Sequence, residues 1–303
     1  MLRAKTILAS LRPYQWIKNL AIYAALLFTG YLFDENHFLI TTAGFVILCL
    51  LSSASYLLND IVDVARDRLH PIKKNRPIAT GELSVNTAFQ VSVGLFIFGL
   101  TAAFLLSRGF FIISLVFVVL HLIYSFYLKK HPPLDILAIA ASFVLRTLAG
   151  TTLSGFHIPI WLVFSVIFLS LFIASGKRRS ELLKKGQGTR PALKEYRREL
   201  LNSYLSIFGT ATLISYAMFT FTASPPEFSD KLLRFLLYNY PQTVDRKWLT
   251  LSVPFVIIGL MRYAQLVFLA QEGEAPEKTI KDTYLILSVL GWGASIFAII
   301  YVF

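Results

Sequence analysis

The sequence predicts an all-α polytopic membrane protein with about nine transmembrane helices. Apolar windows of around twenty residues, the length that crosses a bilayer as a helix, recur along the whole chain. Only 15% of the 303 residues are charged and 56% are hydrophobic, with a mean hydropathy of +0.64. A soluble domain of this length would carry about a quarter charged residues. The ten-residue alternation of a transmembrane β-barrel is absent.

The spans are expected at 18–33, 38–58, 86–106, 110–128, 134–152, 160–176, 203–222, 250–270 and 283–303. The first is short, and Lys18 at its edge can snorkel to the interface. Arg12, Pro13, Gln15, Trp16, Lys18 and Asn19 interrupt the place where a signal peptide would be apolar. The N-terminus therefore reads as an interfacial lead-in, not a cleaved leader. The second span is an unbroken apolar run that stops at Asn59, the fifth contains Arg146, the sixth stops at Lys177, and the eighth contains Arg262. Between the seventh and eighth, Leu232 to Tyr238 reads as an amphipathic helix at the outer interface, bracketed by Pro225, Pro226 and Pro241.

Charge sets the orientation. Of the 29 Lys and Arg, 22 fall in the N-terminal segment and in loops on its side of the membrane, and 5 fall on the other side. By the positive-inside rule the N-terminus and the loops 59–85 and 177–202 face the cytoplasm. These two long loops lie four spans apart, which suggests two four-helix halves plus a ninth span within one membrane domain, 1–303. The net charge of +12 is spread over short loops, a distribution that fits topology and anionic substrates better than nucleic acid. Cys49 is the single cysteine, so an internal disulfide and a thiolate metal site are excluded.

The stretch that carries chemistry is Asn59-Asp60-Ile61-Val62-Asp63-Val64-Ala65-Arg66-Asp67. If the second span continues as a helix past Leu58, 100° per residue puts Asn59, Asp60, Asp63 and Asp67 within one arc of roughly 100°. Tyr56 and Ser52 extend that polar stripe back into the membrane. Three carboxylates on one face repel one another unless a cation sits among them. Hard oxygen donors that leave room for a substrate's phosphates suit Mg2+. The competing reading is a solvated loop whose acids pair with Arg66, Arg68, Lys73 and Lys74.

Lys177, Arg178 and Arg179 stand at the end of the sixth span, where they can clamp phosphate oxygens. The rest of that run, Lys184, Lys185, Arg190, Lys194, Arg197 and Arg198, reads equally well as topology and lipid-headgroup contact. In the fifth span Asp135, Ser142 and Arg146 share a face. An Arg so deep faces either a ligand or a structural partner. The five histidines have no metal-ligand spacing, and no nucleophile elbow, Walker loop or dinucleotide fingerprint is present.

These residues resemble the UbiA superfamily of intramembrane prenyltransferases. Its first signature, N-D-x-x-D-x-x-x-D followed by R-P-x-A-x-G, stands here as Asn59, Asp60, Asp63, Asp67, Arg76, Pro77, Ala79 and Gly81, and its fourth-helix signature as Tyr124 and Lys129. The resemblance implies nine helices around a central cavity. Members that use an isoprenyl diphosphate carry a second acidic motif after the sixth helix, where this chain has Lys177-Arg178-Arg179-Ser180-Glu181. That replacement, with the Arg12-Pro13-x-x-Trp16-x-Lys18-Asn19 opening and Asp67-x-x-His70-Pro71, is similar to one branch of the superfamily. The branch moves 5-phosphoribose from 5-phosphoribosyl 1-pyrophosphate (PRPP) to a polyprenyl phosphate of decaprenyl type, releases diphosphate, and serves arabinose-containing cell-envelope glycans.

The resemblance implies Asp60, Asp63 and Asp67, with Asn59, as ligands of Mg2+ on the diphosphate. On that reading we expect Arg76, Lys73, Lys177, Arg178 and Arg179 as phosphate clamps, Lys18, Tyr124, Lys129 and Asp135 at the mouth, and Tyr56 and the deeper Arg146 as further substrate-binding residues. The implied place is a bacterial cytoplasmic membrane with the site facing the cytoplasm and the polyprenyl tail entering from the bilayer; homo-oligomerisation is left open. Two rivals remain: a prenyltransferase acting on an aromatic acceptor such as a quinone precursor, and a lipid or solute transporter with Arg146 and Arg262 along its path.

Overall fold

The computed structural model describes residues 2–70, 73–185, 193, 195–224, 230–269 and 282–302. Its helices are α1 Leu2–Leu11, α2 Ala24–Thr29, α3 Glu35–Arg68, α4 Pro77–Thr80, α5 Val85–Leu106, α6 Arg108–Phe126, α7 Leu134–Ser154, α8 Ile160–Lys185, α9 Arg198–Thr222, α10 Asp230–Asn239, α11 Val253–Leu269 and α12 Thr283–Phe297. Among the described residues eight helices are long and apolar enough to cross a membrane, and the chain is a multi-pass membrane protein.

Side chains placed by the sequence delimit these helices. Asp34 caps α3 by accepting the His37 N–H at 3.0 Å, and Ser84 caps α5 by accepting the Thr87 N–H at 3.1 Å. Gly155 ends α7 in the left-handed conformation at φ 74°. Arg66 and Arg68 in the last turn of α3 complement its dipole. At ~1.5 Å per residue, α3 runs about 50 Å against a hydrocarbon core of about 30 Å. The excess turns carry Asn59 to Asp67 as helix rather than loop, and α8 likewise runs on through Lys177–Arg179.

The expected first span, 18–33, is different. A 3-10 stretch, Pro13–Tyr23, leads into the short α2, and Gly30 turns the chain at φ +82°. The period explains it, because at three residues per turn Trp16, Asn19 and Ile22 stack on one ridge. Trp16 Nε1 donates to Ser53 Oγ at 3.0 Å, Asn19 Nδ2 to Cys49 Sγ at 3.2 Å, and Ile22 is fully buried. An α-helix would rotate these three residues off α3.

The residues gather into two compact units. The first comprises Met1–Leu27, Tyr31–His157 and Gly188–Lys194; the second comprises Phe28–Gly30, Ile158–Gln187 and Glu195–Phe303. Four of the long helices lie in each, α3, α5, α6 and α7 in the first and α8, α9, α11 and α12 in the second. The sequence suggested two four-helix halves plus a ninth span; the segment outside the eight long helices is the broken one near the N-terminus. The core of the first unit joins Ile22, Leu48, Leu51, Phe110, Phe117, Ala149 and Leu153. Close approach there depends on Gly150, where a Cβ would overlap the carbonyl oxygen of Ile22. In the second unit Phe172, Leu205, Tyr263 and Val267 form a core. Trp292 Nε1 donates to the Tyr216 hydroxyl at 2.7 Å, which itself lies 2.7 Å from Ser252 Oγ.

Candidate active site

The last three turns of α3 bring Asp60, Asp63 and Asp67 into the first unit at 4%, 7% and 3% exposure. Carboxylates so far from water need positive partners, and each has one. Arg12 Nη2 lies 2.7 Å and 2.6 Å from the two oxygens of Asp60. Arg76 Nη1 donates to Asp60 Oδ1 at 2.8 Å and Asp67 Oδ2 at 2.6 Å. Lys129 Nζ sits 2.8 Å from Asp63 Oδ1 and donates to Asn59 Oδ1 at 3.0 Å. Arg66, half-exposed and 3.7 Å from Asp63, adds little. The pairing that the solvated-loop reading expected does occur, but chiefly through Arg12, Arg76 and Lys129, and inside the protein.

Local structure sets each of these cations. Arg12 occupies the left-handed region at φ 53°, between the end of α1 and Pro13. That conformation is costly for a side chain with a Cβ; here it accompanies a guanidinium set on Asp60 and 5.5 Å from the Tyr56 ring centre. Burial works against the Arg12 charge and the Asp60 carboxylate outweighs it, holding the guanidinium above its ordinary pKa. Arg76 immediately precedes α4, whose Pro77 starts the helix and whose Gly81 ends it at φ 89°. Lys129 is buried in the 3-10 turn Leu128–Lys130 that links α6 to α7.

Whether these residues suit Mg2+ can be judged from the oxygens. Among the described residues no three of His, Cys, Asp and Glu converge on one metal position. Two oxygens do converge, since Asp60 Oδ1 and Asp67 Oδ2 both meet Arg76 Nη1. The donor set is of the hard type that Mg2+ takes, and a guanidinium nitrogen holds the point where those two carboxylates meet.

The remaining candidates are more dispersed. Lys73 stands in the turn after α3, its backbone N–H donating to His70 Nδ1 at 3.1 Å. Asp135 is fully buried in the first turn of α7, and Tyr124 lies near the end of α6. Lys18 is half-buried in the 3-10 stretch. Arg146 is buried in α7, with Nε donating to Asn19 Oδ1 at 2.7 Å and Nη1 to the Ser142 carbonyl at 2.8 Å. Lys177, Arg178 and Arg179 belong to the second unit. Arg178 pairs with Glu181 at 2.8 Å, while Arg179 donates to Asn202 at 2.7 Å and the Val267 carbonyl at 2.6 Å and lies 4.2 Å from the Phe268 ring centre. Arg190 and Lys194, and the side chains of Lys184 and Lys185, lie outside the described residues. Sequence reading did not assign Arg12 and Asn19 to the site. Their signals were a polar interruption just before an apolar run and a place in the opening that resembles one branch of the superfamily, neither of which pointed to Asp60 or Arg146.

A stripe of buried acids threaded by cations lies at the end of an overlong helix in a polytopic bundle, and together with the likenesses that follow it marks a membrane-embedded transferase. The chain belongs to the UbiA prenyltransferase family, whose pattern matches residues 20–281. It is similar to the decaprenyl-phosphate phosphoribosyltransferase of Corynebacterium glutamicum, with 33% identity over 307 residues that cover 99% of this chain and 88% of the relative. The enzyme of the same name from Mycolicibacterium smegmatis is 31% identical over 97% of this chain and 92% of its own length. Among solved structures, a UbiA homolog from Archaeoglobus fulgidus bound to GPP and Mg2+ superposes with a TM-score of 0.72 at 22% identity, over 97% of this chain and 99% of the other. That likeness establishes the fold.

Proposed function

We propose that this protein transfers 5-phosphoribose from PRPP to a polyprenyl phosphate of decaprenyl type and releases diphosphate. The reaction takes place in a bacterial cytoplasmic membrane with the acidic stripe facing the cytoplasm. The observation that carries this reading is the composition of the site: one buried acidic stripe whose partners are Arg12, Arg76 and Lys129. A site that gathers a diphosphate, a 5-phosphate and a lipid phosphate must neutralise a large negative load, and a second acidic motif would oppose the lipid phosphate. The full-length likeness to decaprenyl-phosphate phosphoribosyltransferases supports the same reading.

Asp60, Asp63 and Asp67, with Asn59, would hold Mg2+, which when bound neutralises charge on the departing diphosphate. Arg76 exchanges its two carboxylates for diphosphate oxygens, and Arg12 remains on Asp60 to keep that side chain aimed. Lys129 sits between Asn59 and Asp63 and fixes both. The bond from ribose C1 to the diphosphate oxygen breaks with its electron pair leaving on diphosphate, and a phosphate oxygen of the acceptor closes on C1. That oxygen is already ionised at neutral pH, so the residues position and stabilise charge without a strong general base.

Purified protein with labelled PRPP and polyprenyl phosphate should yield labelled lipid. A parallel tube with labelled prenyl diphosphate and hydroxybenzoate should yield none; product only in the second tube would make the chain an aromatic prenyltransferase. Asp63→Asn should lower transfer at least about a hundredfold at saturating Mg2+, and full activity in that variant would remove the metal assignment.

A further inference from the structure

We infer that Arg146 and Asn19 form a second anion site, deeper along the helices of the first unit than the acidic stripe, that binds a phosphate monoester. The Arg146 side chain is 2% exposed. Its Nε donates to Asn19 Oδ1 at 2.7 Å, and its Nη1 donates to the Ser142 carbonyl at 2.8 Å and to the Ser142 hydroxyl. Asn19 is held in turn, with its Oδ1 accepting from Ser52 Oγ at 3.3 Å and its Nδ2 donating to Cys49 Sγ at 3.2 Å. Among the described residues no carboxylate pairs with Arg146, and no acceptor takes the two N–H groups of Nη2.

The groups around it supply no compensating charge. Phe117 and Phe143 present ring centres 4.7 Å and 5.5 Å from the guanidinium. His121 Nδ1 lies 2.8 Å from the Phe117 carbonyl, which can only accept, so the proton is on Nδ1. Nε2 lies 3.5 Å from the Ser142 hydroxyl, and in either protonation state the ring brings no negative charge. The acids of α3 are bound to Arg12, Arg76 and Lys129. Lys18, within electrostatic reach of His121, adds a further positive charge. An uncompensated guanidinium this deep in a membrane-spanning helix marks a place where an anion arrives. Each N–H of Nη2 can donate to a phosphate oxygen, a charge-assisted bond stronger than a neutral one.

The site is distinct from the diphosphate site. Ser52, bonded to Asn19, precedes Asp60 by eight residues on α3, about 12 Å at ~1.5 Å per residue. The assignment of a phosphate monoester rests on the transfer reading, because both the 5-phosphate of PRPP and the polyprenyl phosphate are monoesters.

The test uses full-length protein with Arg146→Met, Arg146→Lys and Asn19→Asp, read by direct binding of PRPP, inorganic diphosphate, polyprenyl phosphate and polyprenol, with thermal melts alongside. Asn19→Asp is the decisive variant. It keeps both acceptor roles and places an internal counter-charge on Arg146, so melting should stay equal or rise while monoester affinity falls about tenfold or more. A purely structural Arg146 would leave binding unchanged. Loss for PRPP with diphosphate binding intact assigns the site to the 5-phosphate. Loss for polyprenyl phosphate with polyprenol binding intact assigns it to the lipid. Arg146→Met should behave likewise, and Arg146→Lys should retain part of the affinity. Wild-type affinity for both monoesters in folded Asn19→Asp would overturn the site. A wild type that binds these monoesters but transfers no phosphoribose would instead sink the transfer reading and leave the site standing.

Discussion

Arg76 is where charge and chemistry meet, because a single nitrogen satisfies Asp60 and Asp67 together. Replacing it by Gln leaves Asp60 with Arg12 alone and takes the charged partner from the buried Asp67. The loss should be about 3 kcal/mol, at the low end of the range for breaking a buried pair because Arg76 keeps some exposure. Thermal melts of Arg76→Gln would measure it, and adding Asp67→Asn should recover part of the stability while leaving phosphoribosyl transfer abolished. Arg76 was marked in the sequence by the R-P-x-A-x-G resemblance, as a phosphate clamp; its bonds to Asp60 and Asp67 were not foreseen. Nor was the role of Arg12. Forty-eight residues separate it from Asp60, and only the fold of the 3-10 stretch against α3 brings the two together.

Among the elements, the broken segment Pro13–Tyr23 depends on how closely α7 approaches it. Gly150→Ala would push the Ile22 carbonyl away, strain the Asn19–Arg146 bond and cost about 1–3 kcal/mol in melting experiments. Gly94→Ala on α5, where a Cβ meets nothing within 4 Å, is the control and should be neutral or stabilising. At the other end of the chain, Asp282 caps α12 through the Leu285 N–H at 3.0 Å and receives Arg262 on both oxygens at 2.9 Å and 2.6 Å. Hydrogen bonding from Arg262 holds its carboxyl down at about 2. A depressed carboxylate stabilises above its unfolded pKa and loses that contribution as pH falls through the folded value. The melting difference between wild type and Asp282→Asn should therefore be constant above about pH 4 and close as pH approaches 2. The sequence left Arg262 undecided between ligand and structural partner; in the fold it is a helix-capping partner.

For the molecule as a whole, the basic residues imply one orientation. In a Cys49→Ser background, which keeps an acceptor for Asn19, a cysteine at Lys74 should react with an impermeant thiol reagent only from the cytoplasmic side. One at Tyr240 should react only from the opposite side. Equal labelling of both from one face would reverse the topology. Span positions were largely legible, since each apolar run of sufficient length became a helix. Both α3 and α8 outran the apolar pattern: the Lys- and Glu-containing continuation of α8 is a good helix former, whereas the Asn- and Asp-rich end of α3 is not and is held by its buried ion pairs. The 3-10 segment was not, because a three-residue ridge becomes favourable only when Ser53, Cys49 and Gly150 are there to receive it.

Composition and spacing alone determined that the chain crosses a membrane repeatedly and that Asn59, Asp60, Asp63 and Asp67 share a helical face. Both follow from local quantities, hydrophobic run length and the angle per residue. Which cations meet those acids, and that Arg146 meets no acid among the described residues, was decided only by tertiary structure. Pairings between residues far apart in sequence are chosen by the packing of whole helices, and no local pattern encodes them.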